Sequence, residues 1–217
     1  MIEPVKPKRK YASTRRAGQA AGTREAVIVA ARAQFIHAGW QGTTIAGMAQ
    51  AAGVSNETIY AVFGTKQGVL LAVVESAVRR TRPNVPLLDQ SGPKAVAAAG
   101  DQRAQIGLFA TDIADVLGNV AELMAVVRTA AATDPALEAF YASLHEGRRR
   151  NLEFVARALL KTGPLRPGLD AAAATATLWR LASPELFLLM TQAEGLAADQ
   201  YAAWLAGTLE ATLLPDG

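Results

Sequence analysis

Apolar residues recur along this chain in steps of three and four, and no long β-branched run alternates with period two. The pattern predicts helices and little or no sheet. Val27, Ile28, Ala31 and Phe35 share one face of a first helix, with Thr23 able to cap it and Gly39 placed to stop it. Thr43 or Thr44 opens a short second helix to about Ala51, and Gly53 ends it. Ser55 opens a third, from Asn56 to about Val62, which Gly64 breaks. Thr65 opens a fourth, carrying Val69, Leu70, Val73, Val74 and Ala77 towards Arg82, before Pro83 and Pro86. Residues 83–100 read as a connector with room for a turn or two of helix. Two helices are expected over 101–117 and 119–132. A long one runs from Asp134 (cap) and Pro135 (first position) to about Lys161. Gly163 to Gly168 is a loop, Asp170 caps another helix, Ser183-Pro184-Glu185 reads as a break and restart, and the last helix covers about 198–214.

Composition narrows the class. Half of the 217 residues are apolar, enough for a real core. There is no Cys, which removes disulfides, thiolate metal sites and a cysteine nucleophile. It fits a reducing compartment, and a cytoplasmic location is expected. No signal-peptide pattern is visible, the apolar run at Leu186–Met190 is too short to span a bilayer, and no membrane partner is expected. His37 and His145 are the only histidines, and neither carboxylate pairs, a phosphate loop nor a serine elbow is visible. No enzyme activity, cofactor or metal is expected.

Charge is uneven. Residues 1–24 hold Lys6, Lys8, Arg9, Lys10, Arg15, Arg16 and Arg24 against Glu3, in a chain of net charge only +3. Residues 1–22 read as a disordered basic arm on a slightly acidic body. Such an arm is either a solvated tail or a contact for a polyanion.

Residues 44–63 carry the chemistry. A helix of about two turns, a glycine turn and a second short helix form a helix-turn-helix pattern. Ala49 is small where the helices cross, Gly53 takes the tight turn, Val54 plugs the corner, and Met48 and Ile59 share a core. Ser55, Asn56 and Thr58 would then project from the N-terminal end of the second helix, where a recognition helix presents side chains to the major groove.

The wider stretch Arg24–Leu71 resembles the DNA-binding domain of TetR-type regulators. The matching residues are Ala31, Phe35, Gly39, Thr43-Thr44, Met48-Ala49, Ala52 to Ser55, Thr58 to Tyr60, Phe63, Lys66 and Leu70. The resemblance implies an all-α fold of about nine helices. An N-terminal three-helix DNA-binding domain (23–66) would precede a C-terminal helical ligand-binding and dimerisation domain (67–217). Carried over by position, it implies DNA contacts at Thr44, Ser55, Asn56, Thr58, Tyr60 and Lys66. Tyr60 could instead be a packed aromatic with an exposed hydroxyl, and Lys66 a solvated charge. Ala46, Gly47, Ala61 and Val62 stand where relatives often carry polar, basic or aromatic contacts. Lys8, Arg9, Lys10, Arg15 and Arg16 of the arm could offset that by lying along the backbone or in a minor groove.

Residues 101–217 resemble, less closely, one C-terminal type of the same family. The likeness lies in Ala130 to Pro135, Arg148-Arg149-Arg150, Gly163 to Leu169, Leu178-Trp179, Ser183 to Glu185 and Trp204-Leu205. It implies homodimerisation through the last two long helices. The final helix also reads as carrying more large apolar side chains than its own monomer covers. A two-fold dimer implies a near-palindromic double-stranded DNA site. A pocket for a small, mainly apolar effector is expected, with Phe109, Met124, His145, Arg148, Trp179 and Phe187 as candidates. Each of the apolar ones could equally be core. Along the stripe Leu137, Tyr141, Leu144, Arg148, Leu152, Val155 and Leu159, Arg148 interrupts an apolar face. It must pair with a buried acid, snorkel, or bind an anionic ligand. The expected function is a sequence-specific transcriptional regulator, a repressor released by that effector. The alternative is a helical ligand-binding or interaction protein with only non-specific DNA binding.

Overall fold

Short-range rules place most of the elements. The computed structural model describes residues 10–79 and 85–215, with side chains from residue 18 onward. Among the described residues there is no strand. The α-helices are α1 (Lys10–Gly42), α2 (Ile45–Ala52), α3 (Asn56–Phe63), α4 (Lys66–Arg79), α5 (Ser91–Ala98), α6 (Gln102–Ala131), α7 (Pro135–Thr162), α8 (Ala171–Leu181), α9 (Pro184–Leu188) and α10 (Ala198–Leu213). A 3₁₀ turn at Leu87–Asp89 precedes α5, and a π turn at Leu189–Ala193 follows α9. The described residues divide into two compact units between Val73 and Val74.

In the first unit, Val27, Ala31 and Phe35 of α1 are fully buried with Met48 of α2 and Ile59 of α3. Their burial fixes the three helices against each other, at roughly 1.5–3 kcal/mol for each large side chain. The guanidinium of Arg24 lies 5.2 Å from the centroid of Phe63 and adds a cation–π contact between α1 and α3. Gly39, at φ 65°, breaks the helical path of α1 where the sequence predicts its stop.

In the second unit, α6 is the central element. α5, α7, α9 and α10 pack on it, and α7 also packs on α8. Asp134, Asp170 and Ser183 cap α7, α8 and α9 as the sequence predicts, each side chain accepting from a backbone N–H of the first turn.

Three expectations are corrected. α1 begins at Lys10, so residues 10–22 are helical where a disordered arm is expected, and Thr23 lies inside the helix. Ala12, Arg15, Arg16, Ala17, Gln19, Ala20 and Ala21 are good helix formers, and they outweigh the charge. α6 is one helix, not two; Asn119 donates to the Asp115 carbonyl within it, and Gly118 keeps helical geometry. The connector holds one short helix, α5, of about two turns, as the sequence allows. Finally, Tyr201, Leu205, Leu209 and Leu213 of α10 are completely buried inside their own chain. Beyond its first turn, α10 exposes Ala203, Gly207, Ala211 and Thr212. Of its large apolar side chains only Trp204 stays partly exposed.

Candidate functional site

The reading head is built by two caps and a glycine. Thr44 caps α2, its Oγ1 accepting from the Gly47 N–H at 3.0 Å. Gly53 turns at φ 67°, ψ 33°, a left-handed conformation that a β-carbon resists, and its N–H closes on the carbonyls of α2's last turn. Ser55 then caps α3, accepting from the Thr58 N–H at 3.3 Å and sharing a 3.2 Å hydrogen bond with the Thr58 hydroxyl. Thr44, Ser55, Asn56 and Tyr60 are all exposed, and Thr58 is partly so. Asn56 opens α3, and Tyr60 follows one turn later on the same side, more than half exposed. Val62 is exposed as well. Glu57, in the first turn, is held below the usual carboxylate range by its own backbone N–H and by Ser55. The arrangement offers exposed polar side chains at a helix N-terminus to one partner, a combination that suits phosphates and base edges.

Lys66 is placed differently from the other expected contacts. Its ammonium donates to the Trp40 carbonyl and lies 4.1 Å from the Trp40 ring centroid, and burial lowers its pKa. It therefore already ties α4 to the end of α1. Lys8 and Arg9 lie outside the described residues. Lys10, Arg15 and Arg16 belong to α1 but fall outside the described side chains.

The second unit contains a cavity of about 230 Å³. Its floor is α6, through Phe109, Ile113, Val116, Val120 and Met124. Its facing wall is α7, and the Leu87–Leu88 turn, Pro93 and Val96 of α5, Val78 and Pro184 complete it. Of the six expected effector contacts, Phe109, Met124 and Arg148 line this cavity. His145, Trp179 and Phe187 do not. His145 packs edge-on to Tyr141 at 4.4 Å and near Trp179 at 5.6 Å, and Phe187 packs edge-on to Tyr201 at 4.9 Å in the core. Burial and the adjoining Arg148 lower the pKa of His145, and burial pushes Tyr201 far above the usual tyrosine range. Arg148 donates to the carbonyls of Trp179 at 2.6 Å and Ala182 at 3.2 Å, where α8 ends, and lies 5.3 Å from the Trp179 ring centroid. Sequence reasoning missed Ser143, Gly147 and Asn151, which line the cavity at four-residue spacing along α7. The spacing was visible, but nothing marked that face as turned to a cavity.

Among the described residues no cluster of His, Asp or Glu could hold a metal ion, and no single helix is long and apolar enough to cross a membrane.

The model of bacterial regulatory proteins of the tetR family matches residues 27–73, the stretch that holds α2 and α3. No curated protein sequence matches the chain. Among solved structures, a TetR-family transcriptional regulator from Mesorhizobium loti is similar at TM-score 0.66 and 22% identity, over 90% of this chain and 98% of that one. A transcriptional regulator from Saccharomonospora viridis in complex with choline gives 0.67 and 18%, over 89% and 98%. FadR from Bacillus subtilis in complex with stearoyl-CoA gives 0.68 and 14%, over 85% and 96%. At these identities the likeness establishes the fold across nearly the whole chain. Fold and exposed α3 face together define an all-α chain with an N-terminal helix-turn-helix. Over residues 27–73 the chain is similar to the tetR family of bacterial regulatory proteins.

Proposed function

We propose that this chain is a cytoplasmic, sequence-specific repressor that binds near-palindromic DNA as a homodimer and releases it when a small, mainly apolar effector fills the cavity. One observation carries the reading: the exposed polar face of α3 lies in one compact unit, and an apolar cavity lies in the other. Residues 23–66 act as the reading head, with contacts at Thr44, Ser55, Asn56, Thr58 and Tyr60. Lys66 contributes a cation if a phosphate draws it from Trp40. The basic residues of 1–22 add sequence-independent backbone affinity. Residues 67–217 sense and dimerise. The small exposed side chains Ala203, Gly207 and Ala211 on α10 suit close approach of a second copy. The effector works by population shift: it weakens DNA binding to the extent that it prefers the dimer state with wrongly spaced heads. The liganded relatives from S. viridis and B. subtilis support the idea that this fold accommodates small molecules.

The test is selection from a random double-stranded DNA pool at near-physiological salt. Enrichment of a near-palindromic site is expected. Weak, salt-sensitive binding without enrichment would overturn the proposal, and would make Ala46, Gly47, Ala61 and Val62 the reason.

A further inference from the structure

The wall of the cavity carries a positive charge that the protein leaves without a carboxylate. Arg148 lines the cavity, and its Nε is buried with no hydrogen-bond partner. Its other nitrogens reach Trp179 O, Ala182 O and His145 Nδ1 (3.3 Å). Those carbonyls end α8 and hold the guanidinium in place, but they carry partial charges, not a whole one. Neither nearby acid makes an ion pair with it. Glu185 accepts from the Tyr141 hydroxyl at 3.1 Å and pairs with Arg128 at 3.7 Å. Asp112, also on the cavity wall, is turned to the first turn of α5: a β-carbon on Gly92 would lie 2.2 Å from its Cγ. Burial lowers the pKa of Arg148, and the charge of Glu185, not in contact with it, offsets this only in part.

A second donor stands one turn away. Asn151 lines the cavity, and its amide makes no hydrogen bond with the described residues. Residues three apart on a helix lie about 5–6 Å from each other, within reach of one planar group. Gly147 sits beside them. A β-carbon there would meet only Arg150 Nη2, at 3.9 Å, so the cavity runs up to the helix backbone. Apart from these groups, Ser143 and Asp112, the side chains on the walls are aliphatic or aromatic.

Resting on the sensing role proposed above, we propose that the cavity takes a small apolar monocarboxylate, its carboxylate seated on Arg148 Nε and the Asn151 amide. The volume sets the size: a cavity of roughly 150 Å³ holds benzene, so about 230 Å³ suits one ring with its head group or a short alkyl chain. A cationic head meets Arg148 unfavourably. A neutral head leaves the charge unmet.

The experiment is calorimetric titration of the full-length protein at neutral pH with benzoate, octanoate, benzyl alcohol and benzylamine. Removing Arg148 would also release the end of α8, so the informative variants are Asn151→Leu and Gly147→Leu. The first loses no internal hydrogen bond, and the second fills open space. Benzoate is expected to bind about tenfold or more tightly than benzyl alcohol, as befits a charge-assisted hydrogen bond. Benzylamine should not saturate. Asn151→Leu should narrow that preference several-fold while sparing benzyl alcohol, and Gly147→Leu should abolish binding of every probe. If benzyl alcohol binds as well as the acids and Gly147→Leu blocks both, the cavity is a site but the carboxylate assignment is wrong. If no probe binds, or Gly147→Leu changes nothing, the sensing role itself fails and this assignment with it.

Discussion

Asn56 and Tyr60 are one turn apart on the exposed side of α3. Each can supply one hydrogen bond to DNA without contributing to the buried core of the first unit. Asn56→Ala and Tyr60→Phe should each weaken DNA binding by about 1 kcal/mol, or roughly five- to tenfold, with the melting temperature unchanged. Fluorescence anisotropy and thermal melts together check this; unchanged affinity would contradict the contact assignment. His145 yields a pH prediction. Arg148 can only donate, so its bond to Nδ1 at 3.3 Å fixes the neutral tautomer with the proton on Nε2. Burial, and then Arg148, depress the native pKa below 6.5, while Glu185 works against them. As pH falls through that value the unfolded chain takes up the proton first, so the native state loses stability. Melting temperature should therefore fall below about pH 6.5, and His145→Gln should lessen that fall. At this scale the caps at Thr44, Ser55, Asp134, Asp170 and Ser183 were legible because a cap involves only three or four neighbouring residues. The cavity was not, because its walls come from segments far apart in sequence. Trp179 and Phe187 have chemistry that suits a pocket but do not line this one, and Asn151 has no distinguishing neighbour in sequence.

Elements behave as their ends dictate. Gly53 ends α2 at positive φ and lets α3 leave at the angle the reading head needs. Gly53→Ala should cost about 1–2 kcal/mol, read as a lower denaturation midpoint, and an unchanged midpoint would contradict the role given to the turn. Gly118 shows the limit of such reasoning. A glycine followed by asparagine reads as a stop, yet α6 continues, because packing of α9 and α10 along it outweighs the local penalty of roughly 1 kcal/mol. α10 departs from expectation the other way. Its apolar stripe was legible, but whether it faces its own core or a second copy is decided by α6, which periodicity cannot see.

For the whole molecule, the division into two compact units follows from a helix-turn-helix ahead of an independent helical core. Charge placement adds a consequence. Deleting residues 1–20 removes most of the N-terminal basic residues, so it should reduce DNA affinity and flatten its salt dependence, by nearly one power of salt for each phosphate the arm neutralises. Identical salt slopes would show that the arm is idle. The most direct test of sequence-specific reading is the ratio of affinities for the selected duplex and an unrelated duplex of equal length, measured at physiological salt for the wild-type chain and for Asn56→Ala. A sequence-specific regulator built on α3 should show a ratio of about a thousand or more that drops in the variant. A ratio near one in both would contradict that role.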